Sequence, residues 1–250
     1  MIQLTIIRIE GYGHWTLTLG SDREAQLQML QARIYHDVQK LFSERDSIVF
    51  FNRFDEYFAI TNGLGVNDHL DIQHELTKLY DNMLMSMTIG SGKTAFEANL
   101  KAYRTRKEET MLDSKARIFG GVQPHSDIAQ IMHIDIDSSA KVGNWLSPYE
   151  LTALVMKIYS RLAEEFLKYN SLAFFLGGDN MMVISNGMTK EQAEEVLEKV
   201  TAGNGIKLNC GIGIGKTGRK AAEAATRALD TIRDLREVGK IQTIYEIQCP

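Results

Sequence analysis

An internal repeat constrains this chain more than any other feature of its sequence. The segment FFNRFDEYFAITNG (Phe50–Gly63) aligns without gaps to FFLGGDNMMVISNG (Phe174–Gly187), and six of the fourteen positions are identical. Two further pairs of segments match, Thr5–Gly13 with Met132–Ala140 and Met87–Thr94 with Gly211–Thr217. Because 250 residues are enough for two domains of ordinary size, we expect two copies of one fold.

Each copy predicts one order of elements: strand, helix, two hairpin strands, helix, strand and a further helix. Capping residues predict the helix starts at Ser21 with Glu24, Ser147 with Glu150, Thr189 with Gln192, and Thr217. The order β-α-β-β-α-β is ferredoxin-like. We therefore predict an α+β protein of two tandem ferredoxin-like domains, residues 1–120 and 126–250, each an antiparallel sheet with helices on one face. The Gly- and Pro-containing segment Asp113–Asp127 is the predicted linker.

Composition excludes several classes of protein. The net charge of −4 lacks the basic excess of a nucleic-acid binder, so no nucleic acid polymer is expected as a partner. Cys210 and Cys249 are too few for a disulfide framework, and neither a CxxC pair nor a His pair has zinc-ligand spacing. No apolar run approaches the roughly 18 residues of a membrane span, and the N-terminus does not resemble a signal peptide. We expect a cytoplasmic protein without a membrane partner.

The residues most suited to chemistry lie in the second copy. HIDID (His133–Asp137) forms its first strand and GGDN (Gly177–Asn180) its hairpin. Because these strands are neighbours in a ferredoxin-like sheet, Asp135 and Asp179 are expected to converge on a hard cation such as Mg²⁺ through oxygen ligands. Gly177 and Gly178 leave room for a phosphate or base. The alternative, a hairpin turn with solvated aspartates, stays open.

These motifs resemble two families of nucleotide enzymes. DID on the first strand, GGD at the hairpin, GIGIG on the last strand and an Ala-rich helix running into GKIQTIYE resemble GGDEF diguanylate cyclases and class III nucleotidyl cyclases, which have palm-type domains. The resemblance implies that Asp135, Asp179 and the Ile136 carbonyl hold magnesium against a triphosphate. Asn180 stands where diguanylate cyclases have Glu, which argues against cyclase activity.

A closer resemblance covers the whole chain. Its length, the paired FFNRFD and FFLGGDN hairpins with their TNG and SNG ends, GYGHWT (Gly11–Thr16) and FLKYN (Phe166–Asn170) resemble the archaeal GTP cyclohydrolase III family. The resemblance implies magnesium-dependent opening of the imidazole ring of GTP, with the formyl group retained and two phosphates released. The implied product is 2-amino-5-formylamino-6-ribosylamino-pyrimidinone 5'-monophosphate, used for riboflavin and deazaflavin synthesis. Activation by K⁺, hydrolysis of pyrophosphate and a homotetramer are also implied.

The first copy carries its own candidate residues. Glu10 and Asp55 are expected at the positions of Asp135 and Asp179, where they would form a second metal site with Glu10 as a ligand. The other interpretation is a relic in which Arg53 contacts phosphate or base; both stay open. His133 is expected to face the core, and no residue is identified as the general acid or base.

Two alternative functions remain at this point. One is a nucleotidyl cyclase of the same fold, and the other is a non-catalytic GTP-sensing module. Asn180 and the lack of a sensory domain argue against the cyclase, and carboxylates in both copies argue against a purely sensing role. The sequence does not indicate which copy holds the productive site or which residues bind guanine.

Overall fold

A computed structural model of the chain describes residues 1–123, 128–137, 146–203 and 205–249. They form two compact units. We call Ile2–Gly92 with Glu97–Ser126 the first unit, and Met1, Lys93–Phe96 and Asp127–Pro250 the second unit. Within the described ranges, no helix has the length and apolar character needed to cross a membrane.

The sheet of the first unit has six strands in the order β2-β3-β1-β4-β6-β5. Elements in this half of the chain are β1 (Ile2–Ile9), α1 (Tyr12–Leu17), α2 (Glu24–Ser43), β2 (Ile48–Arg53), β3 (Glu56–Ile60), α3 (Val66–Leu79), β4 (Met85–Gly92), α4 (Ala95–Lys107), β5 (Met111–Asp113) and β6 (Ile118–Gly120). The pairs β1–β3, β1–β4 and β2–β3 are antiparallel, whereas β6 lies parallel to β4.

The sheet of the second unit has five strands in the order β11-β10-β7-β9-β8. Its elements are β7 (Ala129–Ile136), α5 (Pro148–Lys168), β8 (Leu172–Gly177), β9 (Asn180–Ile184), α6 (Lys190–Thr201), β10 (Leu208–Gly215), α7 (Gly218–Glu237) and β11 (Ile244–Gln248). The four strands β7 to β10 are joined antiparallel, and β11 adds to β10 in parallel.

These sheets confirm the α+β class and the tandem ferredoxin-like, palm-type arrangement, but they are mixed rather than purely antiparallel. The parallel strands lie beyond the ferredoxin-like unit and come after the third long helix of each copy. A strand reached by crossing over a helix pairs in parallel with the strand that precedes that helix. Part of the predicted linker is also structured, since β6 and the end of β5 lie within it. Its residues 124–127 lie outside the described part of the chain.

Local sequence accounts for three of the four predicted helix starts. Ser147 and Thr189 cap α5 and α6 in reciprocal capping boxes, and the Thr217 side chain accepts from the Lys220 N–H at the start of α7. The expectation for Ser21 was wrong. Helix α2 begins at Glu24 after Arg23, and no side chain caps it.

Helices cover both faces of each sheet, which corrects the prediction of one covered face. In the second unit, Ile134 and Cys210 point into a core with Val155 of α5 and Val196 of α6. Gly213 points the other way, and a Cβ placed on it would overlap the backbone of α7. Helix α7 therefore lies in close contact with the opposite face of the sheet.

The first unit follows the same plan. Ile7 and Met87 pack with Ile34 of α2 and Ile72 of α3, whereas a Cβ on Gly90 would overlap the backbone of α4. The glycines of β4 and β10 thus permit a helix to approach within backbone contact. This second covered face is where the candidate functional residues lie.

Candidate functional site

Strand register brings the two motifs of the second unit to one end of its sheet. Strand β7 pairs with β9, and the last pair before the hairpin is Ile134 with Met181. Asp135 and Ile136 follow immediately on β7, while Gly177 pairs with Asn180 where β8 turns into β9. The structure therefore places Asp135 and Ile136 beside the Gly177–Asn180 hairpin, as the sequence predicts for a ferredoxin-like sheet.

Asp135 is buried and fully engaged by neighbouring side chains. Only 6% of the residue is exposed. Its Oδ1 accepts a hydrogen bond of 2.9 Å from Asn209 Nδ2 on β10, and its Oδ2 lies 2.6 Å from Arg233 Nη2 on α7. The hydrogen bond with Asp135 raises the pKa of the Arg233 guanidinium above its usual value. The negative charge of Asp135 is thus compensated by a guanidinium from the helix.

Asp137 lies two residues beyond Asp135 on the same face of the strand and is also bound by an arginine of α7. Arg236 of α7 donates 2.8 Å hydrogen bonds to Asp137 Oδ1 and to Asn209 Oδ1. Arg233 and Arg236 are three residues apart, so they project from one side of the helix. The result is a network of two carboxylates, two guanidiniums and one amide at the end of the sheet.

A second chain of hydrogen bonds runs from α7 to the hairpin. His133 Nδ1 lies 3.1 Å from Thr226 Oγ1, and its Nε2 lies 3.1 Å from Asn180 Oδ1. Asn180 Nδ2 in turn donates to Asp179 Oδ1 over 2.9 Å. Because the Asn180 oxygen can only accept, Nε2 of a neutral His133 carries the proton and Nδ1 accepts from Thr226.

The position of His133 corrects the expectation of a core role. Residues two apart on a strand share a face, so His133 points to the same side as Asp135. Its pKa is lowered, mainly because burial disfavours the charged imidazolium, although the hydrogen bond to Asn180 acts in the opposite direction. His133 therefore orients the hairpin amide as a neutral ring.

Two glycines shape the hairpin. Gly177 has φ +114° and Gly178 has φ +60°, conformations that side-chain-bearing residues rarely adopt. No described atom lies within 4 Å of the place where a Cβ would stand on either residue. The glycines are thus required by the backbone turn and leave open space above it, which suits the approach of a ligand.

The oxygen atoms near this end of the sheet are of the chemical kind that a hard cation prefers. They belong to the carboxylates of Asp135 and Asp179, the Asn180 amide and the Ile136 main-chain carbonyl, and magnesium binds such oxygen donors. Among the described residues, no group of three or more His, Cys, Asp and Glu side chains is placed to hold a metal ion. A cation here would therefore depend on amide or main-chain oxygens and would compete with Arg233 for Asp135.

The first unit has a different residue at the position of Asp135. The pair Ile7–Tyr57 corresponds to Ile134–Met181 in the repeat, so Arg8 is the counterpart of Asp135. Its partner Glu56 is likewise the counterpart of Asn180.

Glu10 lies two residues further along. Its N–H donates to the Leu84 carbonyl over 2.7 Å, as the Asp137 N–H donates to Lys207 over 2.8 Å. The expectation that Glu10 occupies the position of Asp135 was therefore wrong: Glu10 corresponds to Asp137.

The other predicted residues of the first unit form ion pairs within that unit. Glu10 accepts hydrogen bonds from Ser86 Oγ at 2.6 Å and Arg106 Nη2 at 2.7 Å. Burial alone would raise the pKa of Glu10, but these two partners outweigh it and the pKa is lowered. Arg53 and Asp55 pair across 3.2 Å at the β2–β3 turn, with the Arg53 side chain 60% exposed.

Comparisons with known proteins assign the family. The sequence model of the GTP cyclohydrolase III family matches residues 1–246. GTP cyclohydrolase III of Methanocaldococcus jannaschii is 37% identical over 248 residues, which cover 93% of this chain and 88% of that protein. The Methanosphaera stadtmanae protein of the same name is 36% identical over 245 residues, covering 93% of each.

Solved structures give more distant similarities. The active GGEEF domain of a diguanylate cyclase from Vibrio cholerae is 15% identical with a TM-score of 0.36, covering 48% of this chain and 83% of that domain. The assignment therefore rests on the family match and the sequence relatives, both of which span nearly the full chain. This chain belongs to the GTP cyclohydrolase III family.

Proposed function

We propose that this protein hydrolyses GTP at the end of the second sheet, opening the imidazole ring of the base. The observation that carries the proposal is the group of oxygen donors formed by Asp135, Asp179 and Asn180 beside an open glycine hairpin. Family membership supplies the substrate and the class of reaction. The catalytic residues of this proposal are Asp135 and Asp179.

The hairpin would bind the phosphates of the nucleotide. The turn at Gly177 and Gly178 exposes main-chain groups without side-chain obstruction, and Asn180 is held in one orientation by His133. Magnesium, when bound by Asp135, Asp179 and the Ile136 carbonyl, would neutralise triphosphate charge and activate water. Arg233 and Arg236 lie on the same face and would pair with phosphate oxygens once they leave Asp135 and Asp137.

The remaining residues that the sequence predicts for the site lie in the first copy. We propose that Arg53, Asp55 and Glu10 support substrate binding rather than the chemical step, because the first unit has Arg8 where the second unit has the carboxylate of Asp135. The chain would act as two repeats, 1–120 and 126–250, with chemistry in the second.

Several finer properties are part of the proposal by family membership. The product would be the formylated pyrimidine nucleoside 5'-monophosphate, with two phosphates released and pyrophosphate as a further substrate. K⁺ would activate the enzyme, the assembly would be a homotetramer, and the product would enter riboflavin and deazaflavin synthesis in the cytoplasm.

One incubation tests the activity. Purified protein is mixed with GTP and Mg²⁺, the nucleotide product is identified by mass, and released phosphate is counted. The expected result is the formylated monophosphate with about two phosphates per turnover. Cyclic GMP, a dinucleotide or unchanged GTP would reject the proposal, the first two in favour of a cyclase and the last in favour of a sensing module.

A second incubation tests the metal. The oxygen-only donor set and the scattered histidines predict that a zinc-selective chelator leaves turnover unchanged while Mg²⁺ is abundant. Removing all divalent ions should abolish turnover, and Mg²⁺ alone should restore it. Loss of activity with the zinc chelator would exclude the magnesium assignment.

A further inference from the structure

The first unit contains a cavity on the sheet face that, in the second unit, carries Asp135. Its volume is about 400 Å³, and its walls come from β1, β3, β4 and α4. The polar side chains that line it include Arg8, Glu56, Thr88, Asn99 and Arg106. A volume of this size falls within the range of small-molecule sites, which are typically about 300–1,000 Å³.

The charge that β1 contributes to this cavity is opposite to the charge at the matching position of the second unit. Arg8 stands at the repeat position of Asp135, and Glu56 stands at that of Asn180. Arg8 directs its Nε and Nη2 at the single oxygen Glu56 Oε2, and its side chain is 37% exposed. Where the second unit presents a carboxylate that suits a cation, the first unit presents a fixed guanidinium that suits an anion.

Helix α4 adds two further cations to the cavity wall. Arg106 gives one hydrogen bond to Glu10, and its Cζ lies 4.3 Å from the centre of the Phe119 ring. Its Nε is buried and has no hydrogen-bond partner among the described residues. A buried donor of this kind is unfavourable unless something accepts from it. Lys107, the next residue, also lines the cavity.

We propose that this cavity binds the phosphate group of a small phosphorylated molecule without a metal ion. Three cations, Arg8, Arg106 and Lys107, face two partner carboxylates, Glu56 and Glu10, so the wall keeps a positive excess. Guanidinium donors match the oxygens of phosphate in a planar, bidentate geometry. Tyr103 lines the same cavity and is 58% exposed, which leaves its ring available to a ligand.

Equilibrium binding to the full-length protein in excess EDTA tests the proposal. The probes are inorganic phosphate and guanosine monophosphate, titrated by calorimetry into wild type, Arg106→Gln, Lys107→Gln and Asp135→Asn. Lys101→Gln, which removes an exposed charge on the same helix outside the cavity lining, is the matched control. Lys107→Gln leaves the Arg106–Glu10 pair intact, so a folding defect of Arg106→Gln would not prevent the test.

The expected result is binding in EDTA that Asp135→Asn and Lys101→Gln leave unchanged. Arg106→Gln and Lys107→Gln should each weaken this binding about tenfold, because each variant loses one charge-assisted hydrogen bond to the ligand. Tighter binding of guanosine monophosphate than of phosphate would identify a nucleotide ester as the ligand, and equal binding would identify free phosphate. Absence of binding without metal, or binding that responds to Asp135→Asn and not to the α4 variants, would overturn the proposal. Since no turnover is measured, this outcome is independent of the proposed hydrolase activity.

Discussion

Asp135 Oδ2 on β7 lies 2.6 Å from Arg233 Nη2 on α7, so the candidate catalytic carboxylate of Asp135 forms an ion pair. The two sides of the pair differ in exposure, with 8% of the Asp135 side chain and 51% of the Arg233 side chain accessible. The carboxylate is thus fixed in the sheet, while the guanidinium has a route to solvent. A cation that binds Asp135 must therefore displace Arg233, which is half-exposed and also pairs with Asp230 across 2.8 Å.

This competition predicts that Arg233→Gln binds Mg²⁺ more tightly than wild type when GTP is absent. A half-exposed ion pair contributes at most about 1 kcal/mol, so the expected gain in affinity is up to about fivefold. Calorimetric titration of Mg²⁺ into the nucleotide-free protein measures it. Lys240→Gln, an exposed cation of the second unit, should leave the affinity unchanged. Weaker Mg²⁺ binding in Arg233→Gln would contradict displacement and indicate that Arg233 helps to form the site.

Asp135→Asn is predicted to lower turnover by about 10²-fold or more, because a neutral amide holds magnesium less well than a carboxylate. Asp179→Asn should act in the same direction. Glu10→Gln, a carboxylate-to-amide change in the first copy, should lower turnover much less, since that copy has Arg8 at the position of Asp135. Turnover at saturating Mg²⁺ is compared for the three variants, with a thermal melt of each to confirm folding. Near-normal turnover in both aspartate variants, with loss in Glu10→Gln, would place the chemical site in the first copy.

Much of the fold could be predicted because the repeat fixes the order of elements twice. Strand neighbours in a ferredoxin-like sheet then follow from topology, which is why Asp135 and the Gly177–Asn180 hairpin meet as expected. The parallel strands β6 and β11 did not follow, since they lie beyond the β-α-β-β-α-β unit and β6 falls in a Gly-containing segment.

The ion pairs of the site could not be predicted from sequence. Arg233 is 98 residues from Asp135, and their contact exists only because α7 covers the second face of the sheet. Gly211 and Gly213 could have indicated this second covered face. They are two residues apart on β10, so one face of that strand lacks side chains there and a helix can approach closely. Periodicity alone could not separate Glu10 from Arg8, because residues two apart share a face. The match of Thr5–Gly13 with Met132–Ala140 does separate them, since it sets Arg8 opposite Asp135, and the backbone pairing agrees.

Gly213→Ala is predicted to destabilise the second unit strongly. The added Cβ would overlap main-chain atoms of α7 at Ala221 and Ala225, which cannot move aside as a flexible side chain can. We expect a loss of roughly 3 kcal/mol in the free energy of unfolding, the upper range for overpacking. Chemical denaturation measures this, with Gly121→Ala as the control because no described atom lies within 4 Å of its Cβ position. Equal stability of the two variants would mean that α7 does not pack closely on β10.

The buried His69 of the first unit should make stability depend on pH. It is fully buried, with Nδ1 at 2.7 Å from the Gly65 carbonyl and Nε2 at 2.8 Å from Thr5 Oγ1. Because the carbonyl can only accept, Nδ1 carries the proton of the neutral ring and Nε2 accepts from Thr5. Burial lowers the pKa of His69 below its usual value of 6.5, although the Gly65 carbonyl acts in the opposite direction.

A lowered histidine pKa means that the unfolded chain binds the proton more readily than the folded one. The contribution of neutral His69 to the free energy of unfolding is therefore complete above pH 6.5. It decreases as the pH falls below 6.5, by up to about 1.4 kcal/mol per pH unit for one proton, until the pH reaches the pKa of His69 in the folded protein. Urea denaturation between pH 8 and pH 5 should show this slope in wild type and in His74→Gln, an exposed histidine on the same helix. His69→Gln should be less stable at pH 8 and should have a shallower slope below pH 6.5. Parallel curves for wild type and His69→Gln would show that the proton of His69 is not linked to folding.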